Sequence, residues 1–140
     1  KKRKRRNMAK QEISTSNLRT PNGHFSQATT IEAKGKLVFI SGMTARKPDG
    51  TIAGIGDVSE QTRQVCENIK AAVEMAGGTL ADVCRVDVYV RNIEDFDKIH
   101  AVRREYFQSP LPASTMVEVS KMVFPEYLIE ISAIAVLPDA

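Results

Sequence analysis

Hydrophobic and polar positions change period several times along the chain, and each change marks an element. Val83 to Val90 alternates, with Cys84, Val86, Val88 and Val90 on one side and Arg85, Asp87 and Tyr89 on the other. A two-residue period is the mark of a strand, here with one buried face and one face that is wet or lies in an interface. Leu128 to Val136 behaves alike, with Ile129, Ile131, Ala133 and Ala135 opposed to Glu130, Ser132 and Ile134. Leu37 to Ser41 is rich in β-formers and nearly continuous in apolar character, which reads as a buried strand. Ala28 to Ala33 is a shorter candidate, and Gly35-Lys36 between the two predicts a hairpin. Thr115 to Val119 is a further strand.

Between these the period lengthens. Asp57 is a helix cap with Glu60 three residues on, and Val65, Ile69, Ala72, Val73 and Ala76 recur at helical spacing until Gly77-Gly78. Asn92 caps a second helix from about Ile93 to Phe107, with Phe96, Ile99, Val102 or Arg103, and Tyr106 as its inner stripe. Pro110 and Pro112 stop it. Residues 43–56 form a loop around the turn Pro48-Asp49-Gly50. The predicted order is β-β-α-β-α-β-β, an α+β domain with a mixed sheet of five or six strands. Two helices cover one face of such a sheet. The other face still carries Val, Ile, Ala and Tyr, which cannot meet water cheaply at roughly 25 cal/mol per Å² of apolar surface. An oligomer is the expected remedy.

Composition sharpens this picture in three places. At 140 residues the chain is one domain by size, and with no Trp its core falls to Val, Ile, Leu, Ala and Met. Of the 20 Lys and Arg, six are Lys1 to Arg6, which leaves 14 against 17 Asp and Glu, a net charge of −3. The folded part is therefore mildly acidic and offers little to nucleic acid. The basic run reads as a localisation or nucleic-acid arm, as a disordered extension, or as sequence ahead of a natural start at Met8. Residues 1–22 are set apart as a basic and polar tail, and residues 23–140 as the single domain. Cys66 and Cys84 match no metal spacing and read as reduced core cysteines of a cytoplasmic protein. No run approaches the ~20 apolar residues of a membrane helix, and none follows the basic start as in a secretory leader.

Nucleotide-loop, zinc-finger and HExxH signatures are missing, and the two histidines are too few for a metal site. His100, beside charged neighbours, reads as a solvated helix residue, and Arg103-Arg104-Glu105 as a solvated face. His24, in Asn22-Gly23-His24-Phe25-Ser26, reads as a surface loop histidine or as pocket lining. Glu130 stands out as an acid inside the apolar strand Leu128 to Val136. A carboxylate there has either a strand-face ion pair or a role in a site.

Several segments together resemble the Rid (reactive intermediate deaminase, or YjgF) family. They include Val38-Phe-Ile-Ser-Gly42, Gly56-Asp-Val-Ser-Glu-Gln-Thr-Arg-Gln-Val65, Val86-Asp-Val-Tyr-Val90, Glu105-Tyr-Phe107, Val117-Glu-Val119 and Ile129-Glu-Ile-Ser-Ala-Ile-Ala135. The resemblance spans about Gly23 to Val136. It implies a chorismate-mutase-like α+β fold, a homotrimer whose sheets line a central barrel, and a small-molecule cleft between subunits. It also implies cofactor-independent hydrolysis of reactive 2-enamines and 2-imines to 2-keto acids and ammonia. Such a site must hold the substrate, exclude bulk water and aim one water molecule.

Carried over by position, the resemblance gives Glu130 the catalytic role of holding or activating the water. It makes Phe25, Ser41, Gly42 and Phe96 cleft residues. Its arginine, in a Pro-Ala-Arg segment, clamps the substrate carboxylate through a bidentate fork. Here the segment is Pro112-Ala113-Ser114-Thr115-Met116, with Ser114 in the arginine's place and Met116 in that of a small polar residue. Two expectations follow. Either the ligand differs, or is anchored by His24, Arg46 or Lys47, or the protein binds without catalysing. Residues 41–54 are locally similar to 2-aminomuconate deaminases, which favours the first. Some family members carry endoribonuclease or translation-inhibitor assignments, to which the acidic folded part lends little.

Overall fold

The computed structural model describes residues 10–32 and 34–138; the Lys1–Arg6 run lies outside them. Asp57 opens the long helix as its cap. Its backbone is extended and its side chain accepts from the Glu60 amide at 3.2 Å. Helix α1, Val58–Met75, ends ahead of Gly77, which takes a positive φ of 97° that a side chain would resist. Val65, Ile69 and Val73 are its fully buried stripe.

The strands are β1 (Lys10–Ile13), β2 (Ala28–Ile31), β3 (Lys36–Met43), β4 (Val83–Val90), β5 (Ala113–Glu118) and β6 (Ile129–Leu137). Helix α2, Phe96–Tyr106, links β4 to β5 after a 3-10 turn at Ile93–Asp95 capped by Asn92. The main sheet has the order β3-β6-β4-β5, antiparallel except for the β4–β5 pair. Both helices lie on one face. Beneath them Val86, Val88, Ile129, Ile131 and Ala135 close the core with Ile69 and Ile99. The chain is thus α+β, with the alternation of β6, and of β4 from Arg85 on, as expected.

Five expectations are corrected. The predicted hairpin does not form: β2 pairs with β1 in a separate ribbon, and β3 pairs with β6. Gly35 does turn the chain, at φ 92°, but strand propensity cannot choose a distant partner. The main sheet accordingly has four strands, not five or six, and β1 falls in the segment read as a loose tail. The Lys10 amine, buried, donates to the Val83 carbonyl and ties the ribbon to the sheet. β3 is not buried throughout: Val38 and Ile40 turn inward, while Leu37 and Phe39 are 59% and 72% exposed. Finally, Cys84 leaves the face of Val86 and Val88. Val83 pairs with Ala135 and Arg85 with Ile134, so Cys84 is the extra residue of a bulge. It lines a cavity of about 340 Å³ with Ile31, Leu37, Ile134 and Val136. Both cysteines are free and buried, as expected.

Candidate functional site

The residues singled out in the sequence fall in three places. The first is the face of the sheet that the helices leave open. Glu130 pairs with Tyr89, so it points away from the core that Val88 and Ile131 fill. Near it, β3 carries a bulge between Ile40 and Met43, where Ser41 and Gly42 stand against Ser132 alone. A bulge releases backbone groups from the ladder and re-aims its strand. Gly42 lets the carboxylate lie close: a Cβ there would stand 2.8 Å from Glu130 Oε2 and 2.9 Å from its Cδ, and would push that end of the side chain aside. Among the described residues Glu130 has no ion-pair partner, which weighs against the strand-face salt bridge.

The second place is the corner where α2 meets β5 and the loop 22–26. Phe96 and His100 stack with centroids 3.9 Å apart. Gly23 presses on both rings, leaving no space for a side chain. His24 Nε2 meets the Phe107 carbonyl at 2.7 Å, and the Ser26 amide donates to Pro112 O, so the loop is pinned at this corner on either side of Phe25. Arg103 reaches in from α2, and its Nη2 donates to Ser114 Oγ at 3.1 Å and to the His24 carbonyl at 3.5 Å.

Here two readings of the sequence are overturned. His100 is 2% exposed and Arg103 is 1% exposed, so neither is a solvated helix residue; Arg103 belongs to the inner stripe, where it stood as the alternative to Val102, and only Arg104 and Glu105 keep the solvated face. Burial, with Arg103 beside it, pushes the His100 ring down to about 4, which keeps it neutral near pH 7. Burial likewise lowers the Arg103 guanidinium to about 10 and raises the Cys66 thiol to about 12. The sequence held a signal for both residues. The helical stripe that begins at Phe96 passes through Ile99, His100 and Arg103 at spacings of three and four. Charge at 103 and 104 masked it.

The third place is the loop after β3. Arg46 is committed there: Nε and Nη2 reach Tyr127 Oη at 2.9 and 2.6 Å, and Nη1 donates to Gly50 O at 2.7 Å. Its guanidinium lies over the Phe124 and Tyr127 rings. Lys47 lines a cavity of about 410 Å³ with Gly42, Arg46, Asn68, Ala72 and Met75. Neither Glu130 nor Ser114 reaches that cavity.

Ser114 and Glu130 do not share a face. Ser114 pairs with Val86, which points under the helices, whereas Thr115 shares the open side with Arg85, to which it is hydrogen-bonded. Met116, paired with Val88, packs against the core. One protomer therefore presents two candidate half-sites, one on either side of its sheet.

A family model described as Endoribonuclease L-PSP matches residues 15–137, a span that holds both half-sites. The chain belongs to the Rid (YjgF) family. A Rid family protein of unknown function from Yersinia pestis superposes with a TM-score of 0.85 at 32% identity, covering 93% of this chain and 100% of that one. A RutC family protein of Pyrococcus horikoshii is 45% identical over 126 residues, 90% of this chain and 97% of that protein. A 2-iminobutanoate/2-iminopropanoate deaminase of Dermatophagoides farinae is 34% identical over 110 residues, 79% and 84% of the two chains. In this Rid protein the Ser114 hydroxyl thus accepts from a guanidinium of the helix. Among the described residues no cluster of His, Cys, Asp and Glu is built to hold a metal, and no helix is long and apolar enough to cross a membrane.

Proposed function

We propose that this Rid protein hydrolyses a small reactive imine or enamine, with Glu130 as its acid–base residue. The observation that carries the reading is Glu130 itself, a carboxylate on an apolar strand, set against the Gly42 bulge with no cation beside it among the described residues. An imine carbon is already electrophilic, so a carboxylate that accepts a proton from water as the oxygen adds, and returns one to nitrogen as ammonia leaves, is sufficient. Water adds across C=N and ammonia departs from the resulting carbinolamine, which yields the keto compound with no cofactor.

The two half-sites lie on opposite faces, so one ligand meets both when the open face of one copy takes the α2 corner of another. Phe39 and Leu37, exposed in the single protomer, are then covered, and the resemblance implies three copies. On this reading Ser41, Gly42 and Glu130 come from one subunit, and Phe25, Phe96 and Ser114 from its neighbour. Met116 supports them from the core side.

The test is release of ammonia and keto acid from enzymatically generated 2-iminobutanoate, 2-aminoacrylate and 2-aminomuconate. Wild type is expected to turn over at least one of them, and Glu130→Gln to lose that turnover at unchanged oligomeric mass. A second reading, ligand binding without catalysis, draws on Ser114 standing where a strand arginine is expected. It requires that no substrate is ever turned over and that Glu130→Gln alters affinity alone.

A further inference from the structure

The polar side chains that β4 sets on the open face divide into two groups. Arg85 and Asp87 are occupied with each other and with β5: Arg85 Nη2 donates to Asp87 Oδ1 and to Thr115 Oγ1, each at 2.7 Å. Tyr89 is the next residue of β4 on that face, and its hydroxyl is free. The chain has three tyrosines. Tyr106 donates to Glu67 at 2.9 Å, and Tyr127 accepts from Arg46. The Tyr89 hydroxyl has no hydrogen-bond partner among the described residues, although the residue is half-buried.

The register sets Tyr89 directly opposite Glu130 in the β4–β6 pair, so their Cβ atoms lie roughly 4.5–5.5 Å apart on the same side of the sheet. Its partner in β5 is Val117, which is 42% exposed. Past Glu130 the face runs on to the bulge, where Ser41 and Gly42 are exposed. A ligand therefore reaches this part of the face from solvent. A phenol and a carboxylate stand there side by side, each half-buried and each without a polar partner of its own among the described residues. Such a pair is an acid and a base waiting on one ligand.

The chemistry calls for both. As water adds to an imine, Glu130 accepts a proton from it and at that moment has none to give. The nitrogen meanwhile takes the electron pair of the C=N bond and needs a proton. An ionised carboxylate is an acceptor only, whereas a phenolic O–H donates.

We propose that Tyr89 is a second catalytic residue of this protein, the proton donor to the imine nitrogen while Glu130 accepts from the attacking water. The inference rests on the hydrolase reading above. In the first step the C–O bond forms, water loses a proton to Glu130, and the Tyr89 proton passes to nitrogen. The result is a carbinolamine, a phenolate and a carboxylic acid. In the second step the C–N bond breaks and Glu130 gives its proton to the departing ammonia. The carbinolamine hydroxyl returns a proton to the Tyr89 oxygen as the C=O bond forms. Both residues end as they began, and no co-reactant beyond water is consumed.

Tyr89→Phe tests this, because it removes an oxygen that holds nothing else among the described residues. Ammonia release from enzymatically generated 2-iminobutanoate and 2-aminoacrylate is followed with the full chain. Since Glu130 alone still shuttles both protons in turn, kcat is expected to fall by about ten- to a hundredfold, with KM within twofold and oligomeric mass unchanged. An imine that arrives already protonated needs no donor, so the ratio of wild-type to Tyr89→Phe turnover should shrink as pH is lowered. Tyr106→Phe, whose hydroxyl meets Glu67, should match wild type. Full activity in Tyr89→Phe overturns the proposal, and an inactive Glu130→Gln beside it leaves the Glu130 reading standing. Loss in Tyr89→Leu with none in Tyr89→Phe gives the ring a packing role and overturns it too. So does a Tyr89→Phe defect confined to KM, or one that does not change with pH. A wild type that turns over neither substrate, nor 2-aminomuconate, defeats the hydrolase reading and Tyr89 with it.

Discussion

The two faces of the main sheet are made from the same strands and could hardly differ more. Under the helices, Val86, Val88, Ile129 and Ile131 are sealed by the chain itself. On the open side the alternate residues of those strands are Asp87, Tyr89, Glu130 and Ser132, bordered by the exposed Phe39. The first face is complete in one protomer and serves stability. The second is left unfinished and carries an acid. The difference shows where the chain could place a carboxylate without losing its fold: on the side whose partner is not its own helix. The α2 corner is the exception on the closed side, since His100 and Arg103 bring polarity into a wall otherwise built of apolar groups.

The comparison breaks most sharply at neighbouring positions of β6. Ile131→Ala opens a cavity under the helices and is expected to cost about 2–5 kcal/mol. Ser132→Ala next to it should change stability by less than about 0.5 kcal/mol. Urea unfolding of the two variants checks this, and similar losses would mean that the faces are not distinct.

Next in size is assembly. On the assembly proposed above, Phe39→Asp places a charge on the exposed part of β3 and is expected to leave a folded subunit of 15.5 kDa where wild type forms an oligomer. Light scattering with far-UV circular dichroism reads both properties, and an intact oligomer would show that another surface joins the copies.

A smaller and more local effect is expected at the bulge. Gly42→Ala needs only the flexible end of Glu130 to move, so the fold should hold while the carboxylate is displaced. Misplacement by about 1 Å is worth roughly a hundredfold in rate at most. Turnover reduced by ten- to a hundredfold at unchanged thermal midpoint is the expected pair of results; full activity would detach Gly42 from the site.

The smallest effect belongs to the α2 corner and follows pH. His100 titrates near 4 in the folded chain and near 6.5 when unfolded, so below 6.5 the unfolded chain binds the extra proton. Its contribution to stability is present above pH 6.5 and is lost as pH falls from 6.5 towards 4, with no further loss below. Arg103, Arg104 and His24 all act in the same direction. The thermal midpoint of wild type should therefore drop more between pH 7 and pH 4.5 than that of His100→Gln, and parallel curves would place the ring in a different setting.

What could be read along the chain is what neighbours in sequence determine. The cap at Asp57, the stop at Gly77, the stripe of α1 and the alternation of β6, and of β4 beyond Cys84, depend on groups within about four residues, and each stands in the structure as read. Glu130 was visible for the same reason, as a charge out of step with its strand. The serine at 114 could be seen as well, but not the guanidinium beside it. Arg103 is eleven residues away, and its approach depends on how α2 docks against β5. Strand pairing was likewise out of reach, because the backbone hydrogen bonds of β2 and β3 are equally satisfied by any strand that arrives. The sequence by itself determined both helices, the strands after β1, the inward stripe of α1 and the acid on β6. Only the tertiary structure decided the partner of each strand, the bulges at Gly42 and Cys84, and the burial of His100 and Arg103, since these depend on contacts whose partners lie far apart in the chain.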